Sequence, residues 1–418
     1  MPFKNYRKLV LPNGIRVVME PDKNVCSIAL GVLIAVGSKY ERKEDNGISH
    51  FIEHLLFKGT KKRSTSEIAI SIDQIGGQID GGTSREYTHL EIKALSNHLE
   101  FVIDLLSDMV FNPRLDIKDI VNEKSVILEE IKMYEDTPDE FIQDMIVNEM
   151  WKDYPLGQPI IGTRETVSGF NRERVENFIN SKYLPSNIII SCCGNFEIQR
   201  FIKLVSKYFN TKKDKREMSK WEIKLKNPLY GVKHIERDLN QVHCCMGFNG
   251  LSRVDNDRYV LQIINTILGS SMSSRLFQEV REKQGLVYSI YSYPVLCMET
   301  GLFIVYFATT KSNLNKAYNT VLREINNLKT SKISKDELQK AKEHLKGNIL
   351  LSFEGTKSRM SILGRWELYY GRYFTVKEMT NEIDKITVED VLRVARRLFK
   401  KDKSMTLTLG EAVVKPVV

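Results

Sequence analysis

Apolar and polar positions recur along the chain in an order that is written twice. Lys8 to Glu20 has a strand pattern with a Pro-Asn-Gly turn inside it, and Cys26 to Val36 is a continuous apolar strand. Apolar residues every three or four positions then predict helices at His50 to Phe57 and Thr65 to Ile75. A Gly-rich hairpin (Gly76 to Leu95) and helices at Asn97 to Val110, Ile117 to Tyr134, Glu140 to Trp151 and Arg172 to Lys182 follow, before an apolar strand at Asn187 to Cys193. The second half repeats the order. Strand Val242 to Phe248 precedes helix Tyr259 to Leu268, a Gly-bounded segment, strand Gly301 to Thr309, helices at Asn313 to Leu328, Lys335 to Phe353 and Val388 to Phe399, and a closing strand at Met405 to Leu409. Repetition of strands, helices, strands, helices, strand predicts an α+β fold made of two homologous α/β-layered domains, each an antiparallel-type sheet covered by helices. Two unrelated α/β domains of similar length are the alternative.

Length agrees, because 418 residues exceed the roughly 250–300 at which single cores stop growing. Between the halves, Thr211 to Lys226 carries seven Lys/Arg against three acids and few apolar residues. We expect a basic linker at 211–228, joining domains 1–210 and 229–418. The longest apolar run, Ile28 to Val36, is too short to span a bilayer, so no membrane partner is expected. No export signal is visible at the N-terminus. Six cysteines, with Cys192-Cys193 and Cys244-Cys245 adjacent, fit neither a disulfide framework nor a thiolate metal site, and they suit a reducing, cytoplasmic setting. In a strand each adjacent pair should divide between the two sheet faces. Net charge +9 raises the question of a nucleic-acid partner, but no basic stripe interleaved with aromatics occurs outside the linker.

The candidate chemistry lies in His50-Phe-Ile-Glu53-His54. On a helix, positions i, i+3 and i+4 share one face, so both imidazoles can reach one metal ion with Glu53 beside it. His-x-x-Glu-His is the inverzincin order, in which the Glu is a general base. Ordinary packed or capped helix histidines are the bland alternative. A third ligand is needed, and Glu129-Glu130 in the following helix offers it; adjacent residues cannot share a face, so at most one points at the metal. On that helix Val126, Ile127 and Ile131 are the expected apolar side. His89 and His98 are expected to be structural.

Gly47-Ile-Ser-His-Phe-Ile-Glu-His-Leu-Leu-Phe-Lys-Gly59, Thr83-Ser-Arg-Glu-Tyr-Thr88, Val126-Ile-Leu-Glu-Glu-Ile131, Tyr154-Pro-Leu-Gly-Gln-Pro-Ile-Ile-Gly-Thr163 and Tyr183-Leu-Pro-Ser-Asn187 resemble the pitrilysin/insulysin family of zinc metallopeptidases, in its processing-peptidase branch. The resemblance implies one zinc ion per chain on His50, His54 and Glu130, Glu53 as base, and Glu123 supporting the site from behind. It also implies that Arg281 and Tyr288 steady the developing oxyanion, and that Asp80-Gly81-Gly82-Thr83 is an edge strand taking extended peptide; the family often has Asn-Ala-aromatic at the first three positions. Single-length members close as a clamshell of two subunits, so a homodimer with a shared chamber is implied. The segment Glu123 to Glu149 holds nine acids and two bases, a net −7 inside a basic chain. Within it Glu140 and Asp144 match positions that recognise an arginine near the cut in processing peptidases. The implied activity is a zinc endopeptidase on unfolded peptide substrates; a non-catalytic core-protein relative is the other reading.

Overall fold

The computed structural model of the chain describes residues 5–210, 228–400 and 402–414. Most of the expected linker at 211–228 therefore lies outside the described residues. Eleven strands are described: β1 (Arg7–Val10), β2 (Arg16–Pro21), β3 (Ser27–Ile34), β4 (Gln78–Thr83), β5 (Thr88–Leu95), β6 (Ile188–Gly194), β7 (Gly231–Glu236), β8 (Val242–Asn249), β9 (Val287–Leu296), β10 (Gly301–Thr309) and β11 (Ser404–Gly410). The expected strand from Lys8 to Glu20 is two strands, β1 and β2, paired antiparallel around the Pro-Asn-Gly turn.

Two sheets form, in the orders β1-β2-β6-β3-β5-β4 and β7-β11-β8-β10-β9. Apart from the additional β1, the second order is the first repeated strand for strand. The pairings repeat too: β2 with β6 and β7 with β11 are parallel, and the remaining corresponding pairs are antiparallel. The chain is thus one α+β unit folded twice, each sheet covered by helices.

Compact unit 1 takes its residues up to Lys132, then from Gln158 through helix Ile198–Tyr208, and again Leu351–Thr375. Compact unit 2 takes Met133–Gly157, β7 through Leu350, and the residues from Val376 on. All strands of a sheet come from one half of the sequence, yet each unit borrows one helix from the other half. Helix Thr356–Tyr370 lies on the first sheet and helix Pro138–Met150 on the second.

Both borrowed helices dock by the same device. At Gly31 on β3 a Cβ would meet Met360 Sδ at 2.4 Å, and at Gly247 on β8 it would meet Met150 Sδ at 2.3 Å. A glycine at the centre of each sheet therefore admits a methionine of the incoming helix, which fills the gap with a flexible apolar chain. The adjacent cysteines divide as the strand period requires. Cys192 joins the main core of unit 1 while Cys193 lies against Glu20, and Cys244 and Cys245 belong to two different cores of unit 2. No helix among the described residues is long and apolar enough to cross a membrane.

The borrowed helix of unit 1 also docks through charge. Arg359 grips Glu20 at 2.9 and 2.5 Å and Asp22 at 2.8 Å, Lys357 reaches Glu91 at 2.8 Å, and Glu367 receives Lys8 at 2.8 Å. Glu20 is only 2% exposed, so it is tolerable as an anion only with the guanidinium beside it. Arg359→Met should destabilise unit 1 by about 3 kcal/mol, whereas adding Glu20→Met should restore much of that loss. Urea unfolding of the three proteins checks this; a single Arg359→Met as stable as wild type would refute the account.

Candidate active site

Helix Ile48–Leu56 is buried almost all round, seven of its nine residues being buried, polar Ser49 and Glu53 among them. Only His50 and His54 fall outside the buried class, so its polar face has to be satisfied by neighbours. Its N-cap, Gly47, has φ 91° and no side-chain cap; a Cβ there would meet Gly162 Cα at 2.6 Å. Glu41 supplies the cap from outside the helix. Its carboxylate accepts from Gly47 N at 2.7 Å, Ser49 N at 2.8 Å and Asn46 Nδ2 at 3.1 Å. An anion at a helix N-terminus is favoured by the aligned peptide dipoles, while burial pushes this carboxyl up to about 7 against the pull of its donors.

The neighbouring helix Ile117–Glu135 brings Glu130 to the two imidazoles. His50 Nε2 lies 3.8 Å from Glu130 Oε1, and His54 Nε2 lies 3.7 Å from Glu130 Oε2. One ligand atom from each of the three residues falls within 4.8 Å of the others, the one such group of His, Cys, Asp or Glu among the described residues. These separations are too long for hydrogen bonds. They suit three donors converging on one ion, since ligands about 2.1 Å from a tetrahedral centre stand about 3.4 Å apart.

Charge agrees with that fit. Burial and the neighbouring His54 push His50 down to about 4, so its imidazole is neutral and its lone pair free for a metal. Glu53 and Glu130 are raised, chiefly by burial and further by neighbouring carboxylates, against the pull of His54. For His54, burial lowers the pKa, but the bond to Glu123 and the surrounding carboxylates outweigh it and raise it. His54 Nδ1 lies 2.9 Å from Glu123 Oε2, and Lys58 Nζ holds Glu123 Oε1 at 2.7 Å. With Nδ1–H donated to Glu123, His54 Nε2 is left as the lone pair that faces Glu130. Two imidazole nitrogens and a carboxylate oxygen are a donor set suited to zinc.

Glu129 instead faces solvent and pairs with Lys132. Val126, expected on the apolar side, is 47% exposed, while Ile127 and Ile131 are buried as expected. The packed side of the helix runs through Ile120, Glu123, Ile127 and Ile131, which pulls Glu123 inward and leaves Val126 out. Glu53 is buried and accepts from Thr83 Oγ1 at 2.9 Å.

Thr83 ends β4, the edge strand of the first sheet. Asp80 on the same strand is held by Lys357 Nζ at 3.0 Å. A Cβ at Gly81 would meet the Phe57 ring at 2.9 Å, and one at Gly82 would meet His89 Cε1 at 2.7 Å. The two glycines thus leave room for rings that pack over the strand. His89 and His98 lie outside the three-residue cluster.

Arg281 and Tyr288 belong to unit 2. Arg281 sits in a π-helical turn, Phe277–Glu282, with its guanidinium 4.7 Å from the Phe277 ring centre and 5.2 Å from that of Tyr288. Tyr288 is 77% exposed, so it is no core residue. Glu140 and Asp144 also belong to unit 2, on helix Pro138–Met150, where Glu140 is exposed and Asp144 half-buried while Ile142, Ile146, Val147 and Met150 are buried. Sequence reasoning missed Glu41, Lys58 and Lys357. Lys58 stands four residues after His54 within the quoted motif, but nothing in the sequence pairs it with Glu123.

A family model described as insulinase, peptidase family M16, matches residues 16–164, and one described as the peptidase M16 inactive domain matches residues 169–345. The chain is 39% identical over 403 residues to the uncharacterized zinc protease YmxG of Bacillus subtilis, covering 96% of this chain and 97% of that protein. An uncharacterized zinc protease of Streptomyces coelicolor is 34% identical over 410 residues, with 96% and 89% covered. In fold, the chain is similar to a protease from Helicobacter pylori, with TM-score 0.91, 22% identity and 97% and 99% of the two chains covered. A peptidase M16 inactive domain from Pseudomonas fluorescens gives TM-score 0.89 at 19% identity, with 99% and 100% covered. With relatives matched over nearly their full length and both family models in order, the chain belongs to the insulinase family of zinc peptidases, peptidase family M16.

Proposed function

We propose that the chain is a zinc-dependent endopeptidase that cuts unfolded peptides, holding one zinc ion on His50, His54 and Glu130. The observation that carries this reading is the convergence of those three donors, mutually within 4.8 Å, beside the buried Glu53. When bound, zinc supplies a Lewis acid that acidifies water and draws electron density from a carbonyl oxygen. Glu53 takes the proton of the attacking water and returns it to the departing amine. Glu123 orients His54 from behind. An extended peptide adds as a strand to the free edge of β4, along Asp80, Gly81, Gly82 and Thr83, and its backbone polar groups complete the ladder there.

Glu53→Gln should keep zinc and lose cleavage by about 10²- to 10⁴-fold, while Glu130→Gln should lose zinc itself. Metal analysis and a fluorogenic peptide assay read both. Zinc-loaded wild type that cuts no peptide would favour a non-catalytic relative, and undiminished cleavage by Glu53→Gln would reject the base.

Two finer parts of the reading concern unit 2. Arg281 and Tyr288 donate to the carbonyl oxygen as it gains charge, from a second subunit of a homodimer whose chamber is shared. The exposure of Tyr288 and its stacking with Arg281 support a role outside the core. A mixed dimer of a Glu53→Gln chain with a Tyr288→Phe chain should then recover part of the activity that both homodimers lack; no recovery counts against sharing.

Glu140 and Asp144 favour a basic residue near the cut, as in presequence-like segments. Glu140→Gln with Asp144→Asn should lower kcat/KM for Arg-containing peptides about 5-fold more than for their Ala-substituted forms, the size of an exposed charge pair. Equal losses would reject this preference.

A further inference from the structure

The Thr83 side chain links the edge strand of the first sheet to the carboxylate of Glu53. Thr83 closes β4 and pairs across the hairpin with Thr88. It lies on the same strand face as Gly81, which packs against Phe57 at the end of the metal-binding helix. Its hydroxyl donates to Glu53 Oε2 at 2.9 Å, and among the described residues it is the one hydrogen-bond partner of that carboxylate.

The end of β4 is held firmly by groups that belong to neither the helix nor the metal ligands. Ser38 N donates to Ser84 O at 3.2 Å, Lys39 N to Arg85 O at 2.9 Å, and Thr88 Oγ1 to Val36 O at 2.9 Å. Lys39 Nζ and Glu86 Oε1 form a buried ion pair at 2.7 Å over the same turn. The Thr83 hydroxyl therefore has a fixed position, set by the sheet rather than by the carboxylate it touches.

A glutamate left to itself can rotate about three bonds and present either oxygen in several directions. With Oε2 held, the remaining oxygen is the one available to the attacking water. Because the holder is also the last residue of the strand that takes the peptide, the base and the peptide share one reference point. We propose that Thr83 is a positioning residue for Glu53, fixing which carboxylate oxygen meets water and tying that oxygen to the register of the peptide on β4. This inference rests on the endopeptidase reading above.

Thr83→Val keeps the shape and removes the hydroxyl; Thr83→Ser keeps the hydroxyl and removes the methyl. In the full chain, Thr83→Val should lower kcat by about 10- to 100-fold, with KM and zinc content unchanged, and Thr83→Ser should restore most of kcat. Wild-type kcat in Thr83→Val overturns the proposal, as does a Thr83→Ser enzyme as slow as Thr83→Val, which would assign the effect to the methyl. Should Thr83→Val not fold, Thr83→Ala gives the same reading, and a near-wild-type kcat there equally overturns it. Glu53→Gln in parallel separates the two levels: if it still cleaves, the base assignment falls, whereas if only the Thr83 variants behave as wild type, the positioning role falls alone.

Discussion

Helix Ile48–Leu56 is buried on nearly every side and must still carry two imidazoles and a carboxylate, and much of unit 1 answers that constraint. A polar group inside a core costs free energy unless a partner meets it. The partners arrive from three other places in the sequence: Glu41 at the N-terminus, Thr83 on Glu53, and helix Ile117–Glu135 with Glu123 behind His54 and Glu130 opposite both imidazoles. The sheet edge and the long helix are therefore both fixed to the same nine residues, the first through Glu53 and the second through His54. A site assembled this way is pre-formed, because moving any one element leaves a buried polar atom without its partner.

The second copy shows the same slot without the chemistry. Helix Arg258–Leu268 follows β8 as Ile48–Leu56 follows β3, its counterpart in the first sheet, and it too buries most of its residues. Its buried polar residues are Asn265, whose Oδ1 accepts from Ser292 Oγ at 2.8 Å on β9, and Thr266, whose hydroxyl donates to Gln262 O at 3.0 Å. Two short hydrogen bonds within the unit satisfy those side chains, where the first copy draws on Glu41, Glu123, Thr83 and Glu130. The contrast locates the metal chemistry in side chains, with topology left unchanged.

What could be read from the sequence follows from how local each signal is. His50, Glu53 and His54 lie within five residues, so their shared face was legible, and continuous strands such as Gly301–Thr309 were legible to the residue. Helix Thr356–Tyr370 was not read at all. Its buried side includes Arg359, Gly364 and Glu367, so the apolar period is broken where the helix is most deeply packed, and the partners that permit this are more than 300 positions away. Strands β7 and β9 were missed for a related reason: both are sheet edges, β7 alternates exposed positions, and β9 contains Pro294, which an edge strand tolerates. Val126 misled because apolar character alone does not say which side of a helix faces the core. Glu41, Lys58 and Lys357 entered the site through contacts that no spacing rule connects.

The acid-rich stretch from Glu123 to Glu149 looks like a uniform negative field in the sequence, and the structure divides it. Glu123 is turned inward to His54 and Lys58, Glu129 is paired with Lys132, Glu149 with Lys233, and Glu130 faces the imidazoles. Three of those acids have their charge cancelled locally, and the fourth, Glu130, is turned to His50 and His54. Glu140, by contrast, is exposed and has no ion pair among the described residues. A preference for basic peptides therefore cannot come from the −7 of the whole segment, since paired charges at close range produce little field beyond about a Debye length. The proposed preference accordingly rests on Glu140 and Asp144 of helix Pro138–Met150 rather than on the segment as a whole.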